Sequence, residues 1–180
     1  KGFSSLERKK KLNSLEAINN KTLLIIGCGN GFDVLSWLKF KPKYIEAVDL
    51  LNFTKSWNRI SNFIDKNRFT TEVKFSQKNI LNLKTFNKFD FIVSDAVFEH
   101  LKKYDQVVKH CYKLLNKKGI MYASYGPLWY CYGGDHFSGR DNLENGYNHI
   151  LLQKRKYQKY FNINVNSINK EIKFHGAGGL

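Results

Sequence analysis

The sequence predicts an α/β fold, a three-layer αβα sandwich with a mostly parallel central sheet. Three observations carry that reading. Short apolar runs alternate with longer amphipathic ones along the chain, the pattern of βαβ units. The first such run, Leu23-Leu24-Ile25-Ile26, is wholly apolar, as a strand is when helices cover both of its faces. It ends in Gly27-Cys28-Gly29-Asn30-Gly31, a glycine loop placed where a strand hands over to a helix.

Each element follows in order. Ser5 can cap a helix running to about Ile18, with Leu6, Leu12, Leu15 and Ile18 as its apolar positions. Thr22 to Ile26 is the first strand. Beyond the glycine loop, Phe32 to Phe40 reads as a helix with Val34, Leu35 and Leu38 on one side, and Pro42 stops it. Tyr44 to Val48 is the second strand, with Asp49 at its end. Thr54 to about Lys66 carries Trp57, Ile60 and Ile64 at helical spacing. Val73 to Ser76 and Phe89 to Ser94 are the third and fourth strands. Asp105 to Leu115 is a helix ending before a Lys117-Lys118-Gly119 turn, and Ile120 to Ser124 is the fifth strand. Beyond Gly126 the pattern loosens: Tyr147 to Tyr160 reads as helical, and Ile163 to Phe174 as one or two weak strands. No repeat or low-complexity linker interrupts the 180 residues, so a single domain over 1–180 is expected.

Composition narrows the function classes. Hydrophobic residues make up 42% and charged residues 25%, the balance of a soluble globular domain. No run approaches the ~20 apolar residues of a membrane span, and Lys1 to Lys11 is too basic for a secretory signal, so a cytoplasmic protein is expected. Cys28, Cys111 and Cys131 are odd in number and lack C-x-x-C spacing, which argues for reduced thiols rather than disulfides or zinc. No metal site is expected. The net charge of +15 invites a nucleic-acid reading, but the 25 Lys outnumber 5 Arg, and 19 Asn accompany them. The clusters Arg8 to Lys11, Lys39 to Lys43 and Lys154 to Lys156 lie apart in sequence. A solvated basic surface is therefore favoured over a nucleic-acid or anionic-lipid contact.

The glycine loop and Asp49 carry the chemistry. Glycines tolerate positive φ and have no Cβ, so the backbone can turn sharply and approach a ligand. The helix that follows offers free N–H groups there. Eighteen residues past Gly31, Asp49 stands at a strand end, where a carboxylate can accept from both hydroxyls of a ribose. Both features lie at the carboxyl edge of the sheet, which points to an adenosine-containing ligand. A nicotinamide fingerprint, G-x-G-x-x-G, fits less well, because Phe32 stands where its third glycine belongs.

From Lys21 to Tyr125 the chain resembles the class I S-adenosylmethionine-dependent methyltransferases, particularly the broad type-11 group with its Rossmann-like fold. Beside the glycine loop and Asp49, the resemblance rests on Phe89-Asp90-Phe91-Ile92-Val93-Ser94-Asp95-Ala96-Val97-Phe98-Glu99-His100-Leu101 and on Leu114-Leu115-Asn116-Lys117-Lys118-Gly119-Ile120. It implies S-adenosylmethionine as cofactor, held by Gly27, Cys28, Gly29, Asn30 and Gly31, by Asp49 and Leu50, by Asn79 and Ile80 after the third strand, and by Ser94 and Asp95 after the fourth. Two positions depart from the family: Ile25 stands where an acidic residue is usual, and Asn79 where Asp is common. The family also has two further strands, for which few residues remain, so an abbreviated or incomplete C-terminus is expected.

Methyl transfer is mainly a matter of alignment and water exclusion, and an oxygen nucleophile adds the need for a base. His100 and His136 are the candidates, while Tyr125, Trp129, Tyr130 and Tyr132 can wall an acceptor pocket. The fourth strand lacks an Asn/Asp-Pro-Pro-Tyr sequence, which lowers the odds of a base methylase. The expected reaction is methylation of a small-molecule hydroxyl, on a sugar or metabolite. The alternatives are a binding or scaffold domain without catalysis, or an RNA or protein methyltransferase.

Overall fold

The structure is a computed structural model that describes residues 4–85, 88–139 and 145–164. The described residues form two compact units, one within Lys1–Asp95 and Lys103–Ser124, the other within Ala96–Lys102 and Tyr125–Leu180.

The first unit holds α1 (Ser5–Leu15), β1 (Thr22–Ile26), α2 (Phe32–Leu38), β2 (Tyr44–Asp49), α3 (Thr54–Lys66), β3 (Glu72–Gln77), β4 (Phe89–Asp95), α4 (Tyr104–Leu114) and β5 (Leu115–Ser124), with a 3-10 turn at Ile80–Asn82. All five strands are parallel, in the order β3-β2-β1-β4-β5. The fold is α/β, as the alternating runs predict. The strand order reverses at β1, so the carboxyl ends of β1 and β4 flank the switch point at which open sheets of this kind bind ligands.

Strand alternation divides the core. Leu23 and Ile25 of β1, Ile45 and Ala47 of β2, and Phe91 and Val93 of β4 pack with Leu12 of α1, Val34, Trp37 and Leu38 of α2, and Trp57, Ile60 and Ile64 of α3. Leu24, Ile26, Val48 and Ile92 are also buried and alternate to the opposite face. The connection from β4 to β5 runs through α4, whose buried residues lie outside the first cluster. Val107, Cys111 and Leu114 are its buried positions. Burying both faces is why β1 reads as an uninterrupted apolar run.

Several boundaries differ from expectation, each for a local reason. Ser4, not Ser5, caps α1: its hydroxyl accepts from Glu7 N at 3.2 Å while the Glu7 carboxylate accepts from Ser4 N at 2.6 Å. The helix ends at Leu15, and Ile18 is buried beyond it. α2 stops at Leu38, short of Phe40, because the chain must turn toward Pro42. The Lys117-Lys118-Gly119 segment is an irregularity inside a longer β5: Phe89 pairs Leu115 and Phe91 pairs Ile120. Asp90 fits that bulge by accepting from Asn116 Nδ2 at 2.7 Å, and from Thr22 N and Thr22 Oγ1 at 2.9 and 3.0 Å. Partial burial works against the Asp90 charge, but these donors outweigh it and hold the carboxyl below its ordinary range.

The Arg8 to Lys11 cluster is not a uniformly solvated surface. Lys9 is 1% exposed; its ammonium lies 4.9 Å from the Trp37 ring centroid and donates to Ser5, Asp33 and Ser36. Asp33 also accepts from the Trp37 indole at 3.0 Å, so a part-buried polar knot ties α1 to α2. Arg8 reaches Asp95 at the end of β4, 3.5 Å away.

The second unit has a 3-10 turn at Phe98–His100, a long loop from Tyr125, α5 (Asn148–Leu151) and α6 (Lys154–Asn164). The single helix expected over Tyr147 to Tyr160 is thus two, because Leu152 is extended at φ −82°, ψ 137°. Ile163 belongs to α6 rather than to a strand, and 165–174 of that expectation lie outside the described residues. The unit is organised around Asp135, 0% exposed, which accepts from Phe137 N, Ser138 N, Ser138 Oγ and Tyr157 Oη at 2.6–3.1 Å. Burial disfavours the Asp135 charge, but these four donors prevail and lower its pKa. Phe137 packs between Tyr160 and Phe161 of α6, with ring centroids 5.3 and 5.2 Å away. Among the described residues, no helix is long and apolar enough to cross a membrane.

Candidate active site

The ends of β1, β2 and β3 are laced together beside the switch point. Gly27 N and Cys28 N both donate to Val48 O, at 2.8 and 3.1 Å, which folds the glycine loop over the end of β2. Asp49 accepts from Gly29 N at 2.7 Å and from Leu51 N at 2.9 Å, and its own carbonyl accepts from Lys78 N at 2.8 Å. Asp49 therefore fixes the loop after β1 while standing between the ends of β1 and β3. A carboxylate offers about four lone-pair sites, so two acceptor positions remain for a ligand.

The two glycines in the middle of the loop do different work. Gly29 has φ +51°, and a Cβ built there would meet nothing within 4 Å: this stretch of backbone is open on its Cβ side. Gly31 has φ +85°, and a Cβ would sit 2.9 Å from Phe75, 3.0 Å from Ile60 and 3.1 Å from Trp57. Gly29 leaves room for a ligand; Gly31 lets the loop lie flat on α3. Trp57 is the floor. Its indole donates to Gly29 O at 2.8 Å and stacks on Phe75 with centroids 5.6 Å apart, while Ser56 Oγ donates to Asn30 O at 2.7 Å. Helical spacing marks Trp57 only as a core residue. Its grip on the glycine loop has no signal in the sequence.

The other expected cofactor residues fall as follows. Asn30 is exposed, and its side-chain oxygen accepts from Phe32 N, the first residue of α2, at 3.2 Å. Leu50 is exposed beside Asp49. Asn79 is exposed, and its side-chain oxygen accepts from Leu81 N at 3.0 Å, using one lone pair of that carbonyl. Ile80 is buried beneath it. Ser94 is buried and donates to Ile26 O at 3.0 Å, which makes it a tie between β4 and β1. Asp95 is partly exposed; burial, then the charge of Asp33, raises its pKa, and Arg8 and Lys9 oppose that rise. Burial pushes the Cys28 thiol up to about 12, and Cys111 likewise, so neither is a nucleophile at neutral pH.

In the second unit His100 and His136 come together, with ring centroids 5.0 Å apart. Glu99 joins them, with Oε1 accepting from Gly126 N at 3.3 Å. A cavity of about 60 Å³ is lined by Glu99, His100, Pro127, Leu128, Trp129, Gly134 and His136. Of the four aromatics expected to wall an acceptor pocket, only Trp129 lines it. Tyr125, Tyr130 and Tyr132 are exposed. Tyr125 stacks on Phe98 at 6.2 Å, and Tyr132 meets Tyr147 edge-on at 5.6 Å. His136 stands at φ +60°, and His136 N donates to Gly133 O at 2.8 Å in a tightly wound turn. Glu99 is the site residue that sequence reasoning missed. Its juxtaposition with His136, far off in sequence, depends on the loop's path.

An open parallel sheet whose first loop is a glycine cradle and whose second strand ends in a loop-anchoring carboxylate defines an adenosine-cofactor fold. The residues fit that cofactor on two structural counts: the open side of Gly29 and the unused acceptor positions of Asp49. The chain matches the methyltransferase-domain family over residues 2–167 and belongs to it. It is a class I S-adenosylmethionine-dependent methyltransferase domain. It is 30% identical over 103 residues to the malonyl-[acyl-carrier protein] O-methyltransferase of Bacillus cereus, covering 57% of this chain and 36% of that protein. It is 32% identical over 110 residues to an uncharacterized protein of Rickettsia prowazekii, covering 59% of this chain and 43% of that one. The chain thus spans less than half the length of these curated relatives. Among solved structures, an S-adenosylmethionine-dependent methyltransferase from Listeria monocytogenes shares the fold with a TM-score of 0.56 and 19% identity, over 78% of this chain and 62% of that one.

Proposed function

We propose that this chain transfers a methyl group from S-adenosylmethionine to a hydroxyl of a small-molecule acceptor, a sugar or metabolite, and that residues 1–180 act as one catalytic domain in the cytoplasm. The observation that carries the cofactor half is the open backbone at Gly29 beside the anchored carboxylate of Asp49. When bound, the cofactor supplies a methyl group already activated by its sulfonium. The chain supplies position. The loop from Gly27 to Gly31 gives a close-approach surface, Asp49 would accept from the ribose hydroxyls, and Asn79 would accept from the adenine amino group through its remaining lone pair. Leu50 and Ile80 would flank the adenosine; Ser94 holds β4 against β1, and Asp95 stands at the end of β4 beside it. The Bacillus cereus relative is named for transfer to oxygen, which supports an oxygen acceptor here. To His100 and His136 we assign assistance with loss of the acceptor's proton.

Two measurements test this. Titration calorimetry with S-adenosylmethionine should give saturable binding that Asp49→Ala weakens by about 1.5–3 kcal/mol, the range for hydrogen bonds to a charged group. Unchanged affinity in a folded variant overturns the Asp49 assignment. Incubation with labelled cofactor and a metabolite extract should yield S-adenosylhomocysteine and a small labelled product, and should slow in His136→Ala or His100→Ala. Label appearing in RNA or protein instead, or no turnover at all, overturns the acceptor class.

A further inference from the structure

We propose that Glu99, His100 and His136 bind one first-row divalent cation, of the zinc or cobalt kind, and that this cation receives the acceptor's oxygen. The first half stands alone; the second rests on the methyl-transfer reading above.

The cluster has the composition and closeness that such a site needs. One carboxylate oxygen and one imidazole nitrogen from each histidine lie within 4.8 Å of one another. Ligand atoms around a tetrahedral ion with bonds near 2.1 Å lie about 3.4 Å apart, so a modest contraction by side-chain rotation completes the set. Two imidazoles and one carboxylate select a borderline first-row cation over magnesium or calcium, which prefer oxygen throughout. Three protein ligands leave a coordination position open, the pattern of catalytic rather than structural ions.

Glu99 points to the same conclusion independently. Its Oε2 is shielded from solvent and has no hydrogen-bond partner among the described residues, while Oε1 has only the long contact from Gly126 N. A buried carboxylate oxygen without a donor is costly, and a cation removes that cost. The cavity beside it, about 60 Å³, is lined by all three residues. That is room for an ion and a few waters or one small polar group. The backbone holds the third ligand in place. His136 sits in the left-handed region at φ +60°, and the next anchor on the chain is the buried Asp135, with four donors. A left-handed non-glycine residue over-determined by its neighbours is a recurrent feature of ligand sites.

A cation here changes the chemistry asked of the two histidines. They hold charge beside the acceptor rather than take its proton. The acceptor's O–H bond breaks, the proton passes to solvent, and the cation offsets the charge left on oxygen.

The test uses chelator-stripped protein titrated with Co²⁺, followed by visible absorption, and with Zn²⁺, followed by calorimetry. One equivalent should bind with the intense bands of a low-coordinate Co²⁺ site. His100→Ala, His136→Ala and Glu99→Gln should each weaken binding by at least roughly 10- to 100-fold, the loss that follows disturbing even the outer contacts of a metal site. Cys131→Ser should bind as the wild type does. His100 is exposed, so its variant tests the site even where Glu99→Gln or His136→Ala disturbs folding. No binding by the wild type, or equal binding by the folded His100→Ala variant, overturns the proposal. The titration contains neither cofactor nor acceptor, so its failure leaves methyl transfer untouched. Cation binding without any methyl transfer would overturn only the earlier reading. Turnover that survives full chelation overturns the cation's part in the reaction.

Discussion

The parallel sheet and the loop-rich unit after it are held by different forces. In the sheet, β1, β2 and β4 bury aliphatic and aromatic side chains on both faces, and polar groups matter mainly at strand ends, where Asp49 and Asp90 tie neighbours together. In the second unit the central buried group is a carboxylate, Asp135, with Phe137 and the aromatic side of α6 packed around it. The sheet tolerates the loss of one polar contact because apolar area carries its stability. The second unit concentrates its order in one network, so it is the more brittle of the two.

Substitutions can break or sharpen that contrast. The largest effect is expected from Asp135→Ala, which leaves Ser138 and Tyr157 without a buried acceptor and should open the loop at a cost of about 3–5 kcal/mol. Hydrogen exchange should show protection lost over 133–139 and 154–161 while β1 to β4 keep theirs. Equal loss in both regions would mean that they unfold as one body. Next come the two loop glycines, whose roles should separate. Gly31→Ala forces a Cβ onto Phe75 and Trp57 at positive φ, costing about 2–4 kcal/mol of stability in thermal unfolding. Gly29→Ala should cost the fold only about 1–2 kcal/mol and yet weaken cofactor binding at least roughly tenfold. Reversed effects would mean that the ligand lies elsewhere.

The smallest effect concerns acid. The Asp90 carboxyl is lowered in the folded state, so its contribution is complete above the unfolded value of about 4 and is lost as pH falls through the folded one. The difference in melting temperature between wild type and Asp90→Ala should therefore be constant near neutrality and shrink below about pH 4. A difference that grows in acid would contradict the assigned donors.

Legibility in the sequence follows the same divide. The strands from Thr22 to Ser124 could be read because burial on both faces leaves a periodic trace, and α3 over Thr54–Lys66 matched to the residue. Gly27 to Gly31 and Asp49 were legible because their spacing is local to one βαβ unit. What spacing could not supply was contact across the fold: Lys9 buried among Asp33 and Ser36, Trp57 under the glycine loop, Glu99 beside His136. These are pairings of side chains far apart in sequence, and periodicity carries no information about them. Past Tyr125 the stabilising groups are polar and irregularly spaced, so hydrophobic pattern offered little to read.

The contrast between the cysteines has a practical consequence. Cys28 and Cys111 are buried with thiols pushed up to about 12, whereas Cys131 is exposed in the loop that carries His136. Alkylating reagents need a thiolate and access, and at neutral pH only Cys131 offers access. These 180 residues therefore already offer a single conjugation site. A maleimide-linked fluorophore or spin label would report on the histidine-bearing loop, with no cysteine having to be removed from the core.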